Sequence, residues 1–229
     1  YYQMLRILII AIKSVYASVY FASSKAYIQT SQNNLSEEKM AVLIQEVCGT
    51  EEGGYYFPTL SGVSRSLNLY QLGYEQPEDG VCNVVMGLGK AVVDGGKTLR
   101  FCPVHPDKTL QTSTVELTIS DAQTSIMALN LDPERFVPST DDAVNIETLP
   151  ISKVSGMRNA RHVCSYFDYT NNRISEGPTF CDSYRVITFN RILKYNTLPL
   201  AQIVNDLLKL GEEELRCTVE IEFAVDMDV

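Results

Sequence analysis

The sequence predicts an α+β fold, because helical and strand-like patterns occur in the same 229-residue chain. Apolar residues recur every three or four positions from Gln3 to Thr30, which predicts a helix. Large apolar residues occupy every second position from Val219 to Val225, with Glu220, Glu222, Ala224 and Asp226 at the alternate positions, which predicts a half-buried strand. Apolar residues make up 45% of the chain and charged residues 21%, as is typical of a globular protein that can bury a core.

The first half of the chain contains one predicted helix followed by short predicted strands. The polar stretch 31–34 ends the helix. Turn residues such as Gly53-Gly54 and Pro77–Gly80 then separate the apolar runs. By its length and β-branched content the run 40–47 is a predicted buried strand, and 55–57 follows a turn as a predicted second strand. Residues 81–86 are predicted to be a further strand or the start of a buried helix, and the segment that contains 99–101 ends at two prolines.

The second half is predicted to hold a helix just before the closing strand. Residues 107–160 are polar, and within them Val115–Ile119 alternates as a strand does. Residues 162–168 and 185–189 are further strand-like segments. A helix is predicted from Pro199 to Leu210, with Gly211 as its C-terminal stop.

The closing strand is predicted to present acids on one face. Successive side chains of a strand point to opposite faces, so Glu220 and Glu222 share a face and lie about 6–7 Å apart. Their neighbours Val219, Ile221, Phe223 and Val225 would pack into a core. Two such carboxylates suit Mg²⁺, which takes oxygen ligands and usually keeps phosphates and waters. A half-solvated strand with ordinary surface acids is the alternative.

A glycine segment, Gly87-Leu-Gly89-Lys90, could let a ligand approach the main chain closely. It is neither a Walker loop nor a complete dinucleotide fingerprint, and a tight turn explains it equally well. The cations nearest the glycine segments could contact phosphate or could simply be solvated; they are Arg65, Lys90, Lys97 and Arg100.

Charge and composition exclude several classes of function. The net charge of −9 argues against non-specific nucleic-acid binding but not against a bound nucleotide. The longest apolar run, Ile7–Ile12, lies between Arg6 and Lys13 and is too short to span a bilayer, so no membrane is expected. No motif for nucleophilic hydrolysis occurs, and no catalytic residue is assigned.

The six cysteines are spread along the chain without a C-x-x-C pair. A chain of this length needs no disulfides, so they are expected to be reduced thiols in a cytoplasmic protein. Zinc is not expected, since neither His105 nor His162 lies near a cysteine pair.

Several of these segments, taken in order, resemble the nucleotide-binding domain of the phosphoenolpyruvate synthase and pyruvate phosphate dikinase family. They are 40–47, 57–63, 87–96 and 99–101. Residues 219–224 resemble the acid-containing strand near the end of that domain. The resemblance covers residues 36–106 and 185–229.

The resemblance implies an ATP-grasp-like fold, in which two α+β subdomains with a mixed or antiparallel sheet and flanking helices clasp ATP. It also divides the chain into four regions. These are a helical segment (1–35), the first part of the ATP-grasp core (36–106), a connecting or inserted region (107–184) and the closing part with the acidic strand (185–229).

The family also implies the ligands and the residues that bind them. Gln45, Glu46 and Val47 would lie at the adenine hinge, and Gly87 and Gly89 would line the nucleotide cleft. Glu220 and Glu222 would bind Mg²⁺ together with the phosphates of ATP. Related sequences often have Asp where this chain has Glu220, which lengthens the reach of that ligand.

The implied activity is phosphotransfer from ATP to pyruvate through a phosphohistidine on another domain. The family's N-terminal phosphate-gripping lobe and its phosphohistidine domain are expected outside this sequence, as partners in the same polypeptide. This part alone is therefore not expected to catalyse the reaction. Two alternatives stay open: a non-catalytic, nucleotide-binding regulatory module and a structural domain without ligand. A homo-oligomer is also left open.

Overall fold

The computed structural model describes residues 2–30, 39–137, 139, 141, 143–177 and 183–227. The chain divides into two compact units. The smaller comprises Tyr1–Val47 with Asp132–Ile146, and the larger comprises Cys48–Leu131 with Glu147–Val229.

The smaller unit begins with two helices, α1 (Tyr2–Ser18) and α2 (Ala22–Thr30), where one helix was predicted. They are separated at residues 19–21, where the Ser18 carbonyl accepts hydrogen bonds from the Phe21 amide at 3.1 Å and the Ser24 hydroxyl at 2.7 Å. By length and composition alone, the stretch Met4–Ile28 could cross a membrane, and its most apolar part is not buried. Signal sequences pass the same test of length and composition, as do core helices that are mostly buried, so the absence of a membrane partner stays a prediction.

The predicted strand at 40–47 is wrong. Residues 39–49 form neither helix nor strand, and Leu43 and Ile44 are 85% and 66% exposed. A strand requires a partner for its backbone groups, and no described strand pairs with this segment. The apolar run alone therefore does not determine its conformation.

The described strands form three sheets with the orders β1-β2-β6-β7, β10-β8-β9 and β11-β3-β4-β5. Their bounds are β1 Thr50–Glu52, β2 Tyr55–Phe57, β3 Leu60–Arg65, β4 Val81–Val85, β5 Leu99–Phe101, β6 Ser125–Asn130, β7 Ile146–Pro150, β8 Cys164–Asp168, β9 Arg173–Ser175, β10 Ser183–Ile187 and β11 Glu220–Val225. Wherever the register is defined the pairing is antiparallel. Together with the helices, this confirms an α+β fold.

Most helices of the larger unit are short. The short helices are α3 Lys90–Val93, α4 Val115–Asp121, α5 Ile151–Val154, α6 Ala160–Val163 and α7 Asn190–Leu193. Helix α8, Leu200–Leu215, is longer, with 16 residues. On α8, Leu200, Val204 and Leu208 are spaced four residues apart and are buried in the core. This spacing places them on one helix face.

Two predicted elements differ from those observed. Val115–Ile119 is part of helix α4 rather than a strand, because Thr114 caps it by accepting a hydrogen bond from the Leu117 amide at 3.2 Å. Helix α8 continues through Gly211, and its cap is Arg216, which has a left-handed conformation and donates its amide to the Glu212 carbonyl at 2.8 Å.

Gly211 is explained by packing rather than by chain termination. A Cβ at this position would lie 3.1 Å from a methyl group of Val219, the residue just before β11. The glycine therefore lets the last turns of α8 approach the start of the acidic strand.

Candidate functional site

The pairing of β11 with β3 determines which side chains share a face of their sheet. Glu220 lies opposite Arg65, Glu222 opposite Val63 and Ala224 opposite Ser61. Directly opposed residues in an antiparallel pair project from the same face. We call the face that carries Glu220, Glu222, Arg65 and Ser61 the acidic face.

The other face of β11 packs into the core. Ile221, Phe223 and Val225 are partly buried against the main apolar cluster, as the alternation predicted. An apolar cavity of about 250 Å³ lies between these side chains and α8. Its lining has no charged residue, so it is unsuited to a phosphate group.

A glycine at position 62 is required for this packing. A Cβ there would lie 2.5 Å from Cζ of Phe223 and 2.8 Å from the Asn83 carbonyl oxygen. Gly62 thus creates the space that the Phe223 ring occupies. The ring holds β11 against β3 with the acids on the opposite face.

The two acids of the acidic face differ in their surroundings. The Glu220 side chain is 47% exposed, and its Oε2 accepts a hydrogen bond from Nε of Arg65 in an ion pair. Glu222 is exposed, and its side chain makes no hydrogen bond or ion pair within the part of the chain that the structure describes. The structure therefore brings both predicted metal ligands together on one open face, with Glu222 unengaged.

The predicted glycine segment lies at the other end of β3. Ser61 Oγ donates to the Gly87 carbonyl at 2.8 Å, and a Cβ on Gly89 would lie 3.3 Å from Cβ of Ser61. Gly87 has a left-handed φ of 89°, and a Cβ there would lie 2.7 Å from the Met127 carbonyl oxygen. The turn therefore requires glycine, and it covers the Ser61 end of the acidic face.

The remaining predicted site residues are part of the other compact unit. Gln45, Glu46 and Val47 belong to the smaller unit and are exposed, with no secondary structure. The larger unit begins at the next residue, Cys48.

Sequence reasoning missed a polar cluster at the end of β11. Asp226 accepts hydrogen bonds from the hydroxyls of Thr50 and Thr59, and Thr59 in turn donates to Asn159 Oδ1 at 2.8 Å. Burial raises the pKa of Cys48, and the nearby negative charge of Asp226 adds to the effect. The sequence signal for this cluster was Asp226 itself, which follows Glu220 and Glu222 on the same set of alternate positions. Its partners, however, lie more than 160 positions away.

Arg100 has a structural role at the far edge of the same sheet. Its Nη1 and Nη2 contact the two carboxylate oxygens of Glu75 at 2.9 and 2.5 Å, and Nη2 also reaches the Tyr70 carbonyl at 3.0 Å. Glu75 is buried, and it also accepts from the Asn68 amide at 2.8 Å. The hydrogen bonds from Arg100 lower the pKa of the Glu75 carboxyl.

The donor set at the acidic face is compatible with a hard divalent cation. In the described ranges no group of three or more His, Cys, Asp or Glu side chains could hold a metal ion without other ligands. Two exposed carboxylates can instead supply part of an octahedral oxygen shell, with phosphate oxygens and waters completing it. The described cysteines are free thiols, as predicted, while Cys181 lies outside the described residues.

Comparison with known proteins gave one match. A family model described as the pyruvate phosphate dikinase AMP/ATP-binding domain matches residues 3–229, including the helical stretch Met4–Ile28. No curated protein and no solved structure matched the chain.

Proposed function

The chain belongs to the pyruvate phosphate dikinase AMP/ATP-binding domain family, and from this premise we propose that its acidic face binds the phosphates of ATP together with Mg²⁺. The proposal includes an ATP-grasp-like arrangement, with Glu222 and Glu220 as the protein ligands of the metal. Its strongest support is Glu222, an exposed carboxylate without a partner among the described residues, two positions from a second carboxylate on the same face.

The distribution of charge and packing favours the acidic face over the other surface of the sheet. The opposite face is apolar and closed by α8, whereas the acidic face is open at Glu220 and Glu222. From Ser61 to Arg65 the face extends about 13 Å along β3, at about 3.3 Å per residue. Ser61 and Val63 on this face are buried, so the part open to phosphate groups is the end that carries Arg65, Glu220 and Glu222.

Each feature of the chain has a defined task in the proposed reaction. Catalysis of phosphoryl transfer is mostly positioning and electrostatic stabilisation. A bound Mg²⁺ would neutralise negative charge on the phosphates. Glu222 and Glu220 would hold it at the open end of the face. The turn at Gly87–Gly89 would support the Ser61 end of the face by close packing, because a Cβ on Gly87 would meet the Met127 carbonyl and one on Gly89 the Ser61 side chain.

We further propose that the phosphoryl group passes to a histidine on another domain of the same polypeptide and then to pyruvate, giving phosphoenolpyruvate. Within the residues described here, neither a nucleophile nor a general base is needed for this role. This part of the protein positions the nucleotide, and the acceptor lies elsewhere.

The test is Glu222→Gln in the full-length protein, with ATP-dependent turnover and Mg-ATP binding as readouts. Loss of a metal ligand should lower both at least 10- to 100-fold, by the scale of effects known around metal sites. Glu214→Gln, which neutralises an exposed glutamate on α8, is the matched control and should leave both unchanged. Normal turnover and binding in Glu222→Gln would reject the metal site. Wild-type protein that binds Mg-ATP without turnover would identify a regulatory module instead.

A further inference from the structure

Four cations lie near the glycine segments in the sequence, and the structure distinguishes among them. Lys90 pairs with Asp94, with Nζ 3.4 Å from Oδ2. Lys97 Nζ donates to the Ser120 carbonyl at 2.6 Å. Arg100 is occupied by Glu75, as described above. Three of the four are therefore engaged by other groups of the protein, although Arg100 shares the acidic face through its register with Asn83 and Val63.

Arg65 is the exception, because both terminal nitrogens of its guanidinium are unengaged among the described residues. It stands directly opposite Glu220 across the β3–β11 pair, and its side chain is 55% exposed. The contact with Glu220 uses Nε. The two terminal nitrogens, Nη1 and Nη2, have no hydrogen-bond acceptor in the described parts of the chain.

We propose that Arg65 is a phosphate-binding residue of the nucleotide site, and that its ion pair with Glu220 opens when Mg-ATP binds. This inference rests on the proposed function and adds a second cation to it. The guanidinium presents a planar fork of N–H donors that matches two oxygens of one phosphate group. With two terminal nitrogens unengaged, Arg65 can accept a phosphate without first leaving Glu220.

Arg65 can exchange Glu220 for a phosphate at low cost, because both side chains of this ion pair are about half exposed. Ion pairs between half-exposed side chains contribute little to stability, so replacing one carboxylate with a phosphate costs the fold little. Once Arg65 turns to the phosphate, Glu220 is released to join Glu222 as a metal ligand. The next residue pair along the strands, Glu222 with Val63, lies about 6–7 Å away, within the span of adjacent phosphate groups.

The experiment compares nucleotides that differ only in phosphate number. Adenosine, AMP, ADP and ATP are titrated by calorimetry into full-length wild type, Arg65→Gln and Arg65→Lys, with saturating Mg²⁺ and again with EDTA. Arg65→Gln should weaken ATP binding about tenfold, corresponding to one charge-assisted hydrogen-bond pair, and leave adenosine binding unchanged. The ATP affinity of Arg65→Lys should lie between those of wild type and Arg65→Gln, because the lysine ammonium is a point charge without the planar fork of donors.

Two further variants test the exchange and the specificity. Glu220→Gln should strengthen ATP binding in EDTA, because Arg65 is then unpaired. The double variant Arg65→Gln/Glu220→Gln should not show this increase in ATP affinity, because the arginine is absent. Arg158→Gln is the matched control, because Arg158 forms another exposed ion pair, with Glu52 at 3.3 Å. It should bind every nucleotide as wild type does.

The outcomes separate this inference from the proposed function. If Glu222→Gln loses Mg-ATP binding while Arg65→Gln binds ATP normally, only the role of Arg65 is overturned. Equal losses for adenosine and ATP in Arg65→Gln would also overturn it, since they indicate a general structural effect. Wild type that binds no ATP would overturn both.

Discussion

Replacing Gly62 with alanine tests how the acidic strand is held in place. The new Cβ would lie 2.5 Å from Cζ of Phe223, whereas carbon atoms pack at about 3.5–4.0 Å, so the ring must move by about 1 Å or more. The Asn83 carbonyl oxygen at 2.8 Å belongs to the backbone of β4 and cannot withdraw without disturbing the β3–β4 pairing.

The magnitude follows from two opposing effects. Overpacking of this kind costs about 1–3 kcal/mol. Alanine in place of glycine in a strand returns about 0.5–1 kcal/mol by reducing the freedom of the unfolded chain. The clash prevails, and we expect a net loss of about 1–2 kcal/mol, which lowers Tm by roughly 2–8 °C for a chain of this size.

Urea unfolding followed by circular dichroism measures the change. Gly156→Ala is the control, because a Cβ at that position meets nothing within 4 Å and its φ is not in the left-handed region. In a double-mutant cycle with Phe223→Leu, the combined loss should be smaller than the sum of the single losses by at least about 0.5 kcal/mol. Strict additivity, or a stabilising Gly62→Ala, would refute the account of this packing.

Two further predictions concern a buried carboxyl and the thiols. The lowered pKa of Glu75 means that its ionised form stabilises the fold above the unfolded value of about 4.3, and that this contribution is lost as pH falls through the lower folded value. Glu75→Gln should therefore cost more stability at pH 7 than at pH 3 in urea unfolding, and an equal loss at both would contradict the pairing with Arg100. Among the cysteines, burial raises the pKa of Cys164 to about 12, whereas Cys217 is exposed. A thiol reagent followed by peptide mapping should modify Cys217 well before Cys164, and equal rates would show that β8 is open to solvent.

The sequence was sufficient to predict β11 because one of its faces is buried. A strand with one face against the core carries large apolar residues at every second position. If its pairing register slipped by one residue, these side chains would point away from the core, so the sequence pattern determines the register. The segments 40–47 and 115–119 lack that constraint. The first has no partner strand in the described structure, and the second is too short for its alternation to outweigh the cap at Thr114.

The candidate site was predictable only in part. Positions 220 and 222 are two residues apart on one strand, and strand geometry alone decides that Glu220 and Glu222 share a face. Local sequence cannot reveal that Arg65 lies opposite Glu220, because 155 positions separate the two residues. The same holds for the contact of Asp226 with Thr50, which joins residues 176 positions apart.

The pairing of β3 with β11 has a kinetic consequence. Strands β3, β4 and β5 are near neighbours in the chain and can associate early, whereas the partner on the other side of β3 emerges from the ribosome about 150 residues later. Such distant pairing is slow because a large loop must close first. The carboxylates of β11 thus join the sheet only after β3, β4 and β5 have been made, so the proposed metal ligands come together late in folding.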